Sequence, residues 1–204
     1  MDVLNEIKRL KNIADIGLLY AKDPYDRERY SELFDISLNL LATVTDTPLS
    51  KLSDFYLPPT DYPTPKVDVR ALVLDEQKHI LMARERSDGR WSLPGGWADV
   101  GLSPREIAVK EVFEETGLTV EPQHLLAVFD KKCHPHPPQG FYVYKLVILC
   151  SYVSGHLQPA HDILDAQFFS IASLPPLSEN RILESQVKLV FEKAVSGDLR
   201  TYFD

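Results

Sequence analysis

Cysteine is scarce, with two in 204 residues. That excludes a disulfide framework and makes a reduced, cytoplasmic chain the expectation. Long apolar runs are missing too. The strongest, Lys145-Leu-Val-Ile-Leu-Cys150, falls far short of the roughly 20 residues a membrane helix needs, so no membrane partner is expected. The opening Met1-Asp-Val-Leu-Asn-Glu-Ile-Lys-Arg9 mixes both charges, which does not suit a signal peptide. Basic side chains are in deficit, 22 Lys and Arg against 30 Asp and Glu, for a formal net charge of -8. Such a balance disfavours general nucleic-acid binding. DNA is therefore not expected as a partner, and RNA is not favoured, though a local groove can override the total. A phosphate substrate would need a cation to mediate its contact. What is present is ordinary globular composition, 44% hydrophobic and 25% charged, which excludes disorder, collagen and coiled coil.

Two segments differ in pattern. In the first, Leu4, Ile7, Leu10, Ile13 and Leu18 recur at helical spacing. Asp23-Pro24 reads as an N-cap with proline at the first helical position. A second helix is expected over residues 24–44, burying Tyr30, Phe34, Ile36, Leu38, Leu40 and Leu41, and a short turn over 52–56. The stretch from Leu57 to Pro65 holds four prolines in nine residues and reads as a linker. The boundary is placed near residue 62, giving a helical extension over 1–62 and a second domain over 63–204. So thin a helical core is expected to pack on the rest or on a second subunit, and a homodimer is the expectation.

The second segment turns to strands, expected over 67–74, 79–83, 125–129, 141–151 and 166–171. The first two are read as a hairpin, with Val67, Val69, Ala71 and Val73 alternating against Asp68, Arg70 and Leu72. Between the strands one helix is clear, Ser103 to Thr116. Ser103 caps it, Pro104 starts it, Glu106 completes a capping box and Gly117 stops it. A last helix is expected over 178–195. The domain is therefore mixed α/β.

On the 103–116 helix, Glu111, Glu114 and Glu115 fall within about a 100° arc. Ala108, Val109, Val112, Phe113 and Thr116 lie opposite and are expected to be buried. Glu111 and Glu115 form a like-charge i, i+4 pair, which costs a few tenths of a kcal/mol unless something neutralises it. A divalent cation would do so, since Mg2+ takes carboxylates and bridges to substrate phosphates. Gly95 and Gly96 lead into this helix and let backbone approach a metal or phosphate closely.

These residues resemble the signature of the Nudix hydrolases, G-x5-E-x7-R-E-U-x-E-E-x-G-U with U a bulky aliphatic residue. Gly96, Glu111, Val112, Glu114, Glu115, Gly117 and Leu118 fit it. Two positions depart: the first glutamate is Leu102 and the arginine is Lys110. In the family those two support one another, so their joint loss reads as a coupled replacement. Residues 18–30 and 62–70 further resemble a bacterial subgroup with a helical N-terminal extension, which includes CDP-choline pyrophosphatases and UDP-sugar-type diphosphatases.

The resemblance implies a Nudix-type α/β/α sandwich with a mixed sheet. It implies cleavage of a nucleoside diphosphate linked to another group, with Mg2+ or Mn2+ as cofactor. Glu111, Glu115 and the Gly95 carbonyl would hold the metal, and Glu114 a further metal or its water. Glu111, Glu114 and Glu115 are thus the catalytic candidates, with Glu111 and Glu114 possible bases. Asp162 and Asp165 are alternative bases, weighed against a polar strand entry. For substrate, Gly96 lies in the glycine turn, and Arg70 and Arg84 lie on the first hairpin. Lys131, Lys132, His134 and His136 sit in a proline-rich loop that is either phosphate-binding or plain surface. Cys133, His134 and His136 lack a fourth ligand for zinc. If the substrate carries choline, one of Trp91, Trp97, Tyr142 and Tyr144 would cup its ammonium. CDP-choline is the favoured substrate, with ADP-ribose, UDP-sugars, an RNA end and non-catalytic nucleotide sensing as alternatives.

Overall fold

The computed structural model describes residues 2–55, 62–159 and 162–204. Two compact units emerge, residues 1–65 with 138–142, and residues 66–137 with 143–204. Most of the linker from Leu57 to Pro65 lies outside the described residues, as does Tyr56 of the expected third helical turn.

The first unit is helical. Helix α1 spans Val3–Tyr20, with Asp2 accepting from Asn5 N–H as its cap. Helix α2 spans Pro24–Thr45, and Asp23 accepts from the Tyr25 and Asp26 amides. Helix α3 spans Leu49–Phe55, starting earlier than its sequence pattern suggests. Ile7, Ala14, Phe34, Leu38, Leu41 and Leu52 form the core. Ile36 and Leu40, expected on the buried face of α2, are exposed. They fall on the side of the helix away from Phe34, Leu38 and Leu41, a narrower stripe than composition suggests. Residues 138–142 join this unit, where the Lys8 ammonium stands 4.7 Å over the Tyr142 ring.

The second unit contains two sheets. One has the order β4-β1-β6-β5-β8, the other β3-β2-β7. The strands are β1 Lys66–Val73, β2 Ile80–Glu85, β3 Trp91–Ser92, β4 Gly95–Trp97, β5 Leu118–Asp130, β6 Val143–Gly155, β7 Ile163–Phe169 and β8 Tyr202–Phe203. Strands β1 and β6 run parallel, whereas β1–β4 and β5–β6 are antiparallel, so the larger sheet is mixed. Helix α4, Pro104–Thr116, and helix α5, Glu184–Ser196, belong to different core clusters. Ile107, Ala108 and Val112 of α4 pack with Val69, Ala71, Val73 and Leu81. Val187 and Val190 of α5 pack with Leu72, Ile80, Met82 and Phe129. Alternate residues of β1 and β2 thus serve opposite helices, the pattern of an α/β/α sandwich.

Three sequence expectations change. The β1–β2 hairpin exists only at its tip, where Leu74 bridges Ile80; beyond it the strands enter different sheets. Nor does β1 have a polar face, because Asp68 and Arg70 are as buried as its valines. Strand β5 begins at Leu118 rather than Leu125, because a register shift between Pro122 and His124 absorbs the proline that hides its start. The short strands β3, β4 and β8 carry too little pattern to be read from sequence. Among the described residues no helix is long and apolar enough to cross a membrane. Cys133 is exposed and Cys150 buried, both as free thiols.

Candidate active site

Helix α4 is built as its sequence dictates. Ser103 accepts from Glu106 N–H, and the Glu106 carboxylate accepts from the Ser103 amide at 2.8 Å, a complete capping box. Gly117 ends the helix in the left-handed region, φ 75°. The buried arc differs from expectation. Phe113 is 58% exposed, while Glu115 is only 8% exposed and sits among Ile107, Ala108, Val112 and Thr116. The helix turns its Glu111 and Glu115 edge inward, and Glu114 stays outside with Lys110.

Strand β4 receives that edge. Gly95 N–H donates to the Glu115 carboxylate at 3.0 Å. Gly95 pairs with Arg70 of β1 at φ 144°, and a Cβ there would lie 2.0 Å from the Val69 carbonyl, so only glycine fits. At Gly96 a Cβ would come 2.8 Å from Glu111 Oε2. Gly95 and Gly96 together hold both carboxylates against one stretch of backbone.

Electrostatics follow from burial. Burial pushes the Glu115 carboxyl up to about 8; Arg70 opposes the rise and Glu85 adds to it. Burial also raises Glu111, offset chiefly by Lys110. Among the described residues no three His, Cys, Asp or Glu side chains gather into a metal-holding group. A cation here would rest on two carboxylates, backbone oxygen, water and substrate phosphate, a set that suits Mg2+. A buried and a half-buried carboxylate whose charged forms are disfavoured are also a fit for a divalent ion.

Gly96→Ala is expected to shift Glu111 and cut kcat about tenfold, the scale seen when a ligand's support is removed. Thermal unfolding should move little, because the carboxylate is the flexible partner in that contact. A kcat unchanged from wild type would count against the placement of Glu111.

At the altered signature positions, Lys110 donates to Asp99 at 2.9 Å and stands 3.4 Å from Glu114 and 3.8 Å from Glu111. Leu102 is exposed and takes no part in this cluster. Asp99 thus partners the cation at the signature's arginine position.

Behind the glycine turn lies a charge network that pattern reading missed. Lys145, 1% exposed, contacts Asp68. Asp68 accepts from Arg70 Nε at 3.0 Å. The Arg70 guanidinium donates to the Leu93 carbonyl at 3.0 Å and stands 3.9 Å from Glu85. Glu85 accepts from Ser92 at 2.8 Å and forms an ion pair with Arg181 at 2.9 Å. Arg70, expected to meet phosphate, is buried, and its Nε and Nη1 donate to Asp68, Ser92 and the Leu93 carbonyl. The available signal was charge at Asp68, Arg70, Glu85 and Lys145 within strands too apolar to face water.

The other candidates lie elsewhere in the unit. Arg84 donates to the Gly89 carbonyl at 2.9 Å and is exposed. Lys131 donates to the Asn180 carbonyl at 2.6 Å. His136 donates from Nδ1 to the Glu179 carbonyl at 2.6 Å, and burial lowers its pKa to about 4, so the ring is neutral. His134 pairs with Asp204 at 2.8 Å, and Lys132 with Asp130 at 3.1 Å. The histidine loop is therefore bound to residues 179–180 and to the Asp204 side chain. Asp165 accepts from Ala166 N–H and the Gln167 amide, and Asp162 is exposed. Trp91 packs edge-on against Phe169 at 4.7 Å, while Lys66 already stands over the Trp97 ring at 5.4 Å.

Residues 64–190 match the profile of the NUDIX domain family. The chain belongs to the Nudix family. Residues 1–56 of this Nudix protein match a second profile, described as a UDP-X-like, N-terminal oligomerisation domain. YjhB of Bacillus subtilis, provisionally named an ADP-ribose pyrophosphatase, is 42% identical over 201 residues, covering 98% of this chain and 96% of its own. A solved ADP-ribose pyrophosphatase from Streptococcus suis is 42% identical with a TM-score of 0.63, covering 69% of this chain and 100% of its own. A solved UDP-X diphosphatase is 36% identical with a TM-score of 0.65, covering 100% and 98%. This Nudix protein is a pyrophosphohydrolase.

Proposed function

We propose that this Nudix hydrolase cleaves the pyrophosphate bond of ADP-ribose or a UDP-linked compound, releasing a nucleoside monophosphate and a phosphomonoester. The inward-facing Glu111 and Glu115 pair, closed by Gly95 and Gly96, carries the reading. Glu111, Glu115 and the Gly95 carbonyl would hold Mg2+ or Mn2+. Bound there, the cation would neutralise phosphate charge and acidify the attacking water. Glu115 is kept in place by the Gly95 amide, and Glu111 or Glu114 takes the proton from water. Gly96 leaves room for phosphate beside Glu111. Residues 1–62 are assigned to homodimer assembly, with 63–204 as the hydrolase, in a cytoplasmic setting.

The substrate order changes from the one the sequence suggests. Relatives spanning nearly the whole chain are named for ADP-ribose and UDP-X, and neither is named for CDP-choline. ADP-ribose therefore comes first. The test offers ADP-ribose, UDP-glucose, CDP-choline and a short capped RNA in Mg2+ or Mn2+, with products read by phosphorus NMR. AMP and ribose 5-phosphate formed at least tenfold faster than the other products are the expected result, a specificity margin of about 1.4 kcal/mol. Fastest release of phosphocholine would restore CDP-choline.

A further inference from the structure

Arg181 lies in the loop before α5, outside the Nudix signature, yet it completes the network behind the glycine turn. Its Nε stands 2.9 Å from Glu85 as an ion pair. Its two terminal nitrogens donate to Ser178 and Ser87, each at 3.1 Å, and one stands 3.8 Å from Asp88. The backbone just before it is fixed as well. Asn180 and Glu179 carbonyls accept from Lys131 and His136, and Ser178 N–H donates to the Trp91 carbonyl at 2.8 Å.

Glu85 is the link inward. It is 7% exposed, and besides Arg181 it has the Ser92 hydroxyl and, more distantly, Arg70. Without Arg181, that buried carboxylate would draw Arg70 toward itself. Arg70 would then leave the Leu93 carbonyl, two residues before the Gly95 amide that holds Glu115. The Glu85 charge also acts on Glu115 directly, disfavouring its ionised form.

We propose that Arg181 is a positioning residue: by satisfying Glu85 it keeps Arg70 on the Leu93 carbonyl and so sets the Gly95–Glu115 contact. This rests on the reading of Glu111 and Glu115 as cation ligands. The arginine fork matters because one side chain must reach Glu85, Ser87 and Ser178 together, which a lysine cannot do.

The test measures Mn2+ binding to the full chain without nucleotide, by electron paramagnetic resonance of the unbound ion. Wild type and Glu115→Gln serve as controls, with Arg181→Gln, Arg181→Lys and the double variant E85Q/R181Q. R181Q is expected to bind Mn2+ about tenfold more weakly, the effect of losing an outer support of a metal ligand. KM for ADP-ribose at saturating Mn2+ should stay near wild type. R181K should fall between R181Q and wild type. The double variant should regain affinity over R181Q, because the unsatisfied charge is gone. Wild-type affinity in both single variants, or in R181K alone where R181Q does not fold, overturns the inference, as does no recovery in the double variant. Wild type that binds no better than Glu115→Gln overturns the cation reading itself, and this inference with it.

Discussion

Glu115→Gln is expected to reduce turnover about a hundredfold or more. Loss of a ligand removes several kcal/mol of charge stabilisation, and each 1.36 kcal/mol is a factor of ten. The same change should stabilise the metal-free fold in a pH-dependent way. Burial holds the Glu115 pKa at about 8 against an ordinary 4.5. Between those values the folded protein keeps a proton that the unfolded chain releases. Stability therefore declines as pH rises through the window. Gln has no such titration. The Tm of the variant should exceed that of wild type by more at pH 8 than at pH 5, with EDTA present. Added Mn2+ should raise the wild-type Tm at pH 8 and leave the variant's unchanged, since only a binding-competent fold gains by mass action. A fully active variant would contradict the ligand role of Glu115, and a Tm gap independent of pH would contradict its burial as a protonated group.

Asp68→Ala is expected to cost about 3–5 kcal/mol of folding stability, because it leaves the buried Lys145 without its carboxylate partner. Lys145 is 1% exposed and Arg70 5%, and Asp68 is in contact with both. Nothing else described offers Lys145 a carboxylate. For a domain with a total stability of roughly 5–15 kcal/mol, that loss is severe. Replacing Asp68 and Lys145 together by Leu and Met should cost far less, since no unpaired charge remains on that side. Urea unfolding of the three proteins measures both values. A cost under about 1 kcal/mol for Asp68→Ala would show that water reaches the pair, as it does for surface ion pairs.

The parts of the molecule legible in sequence are those whose cause is local. The Ser103–Glu106 capping box, the Gly117 stop and the Asp23-Pro24 start depend on neighbours within a turn. Fold class was legible as well, through the change from helical to strand spacing and through the signature residues. What was not legible depends on partners far along the chain. Asp68 and Arg70 look like the wet face of a strand until Lys145, from a strand 77 positions away, is placed beside them. Likewise, the three glutamates of α4 occupy one arc, but only strand β4 decides that Glu115 is enclosed and Glu114 is not. His134 and His136 look like ligands because nothing nearby in sequence explains them; Asp204 and the Glu179 carbonyl do so from 70 and 43 residues away. Arg181 gives no local sign of its role for the same reason.

We infer that the inward edge of α4 holds the divalent cation. Anomalous diffraction from crystals soaked in Mn2+ tests it most directly. The expected result is a peak in contact with the Glu111 and Glu115 carboxylates and the Gly95 carbonyl. A peak confined to Asp99 and Glu114, with none at Glu115, would contradict it.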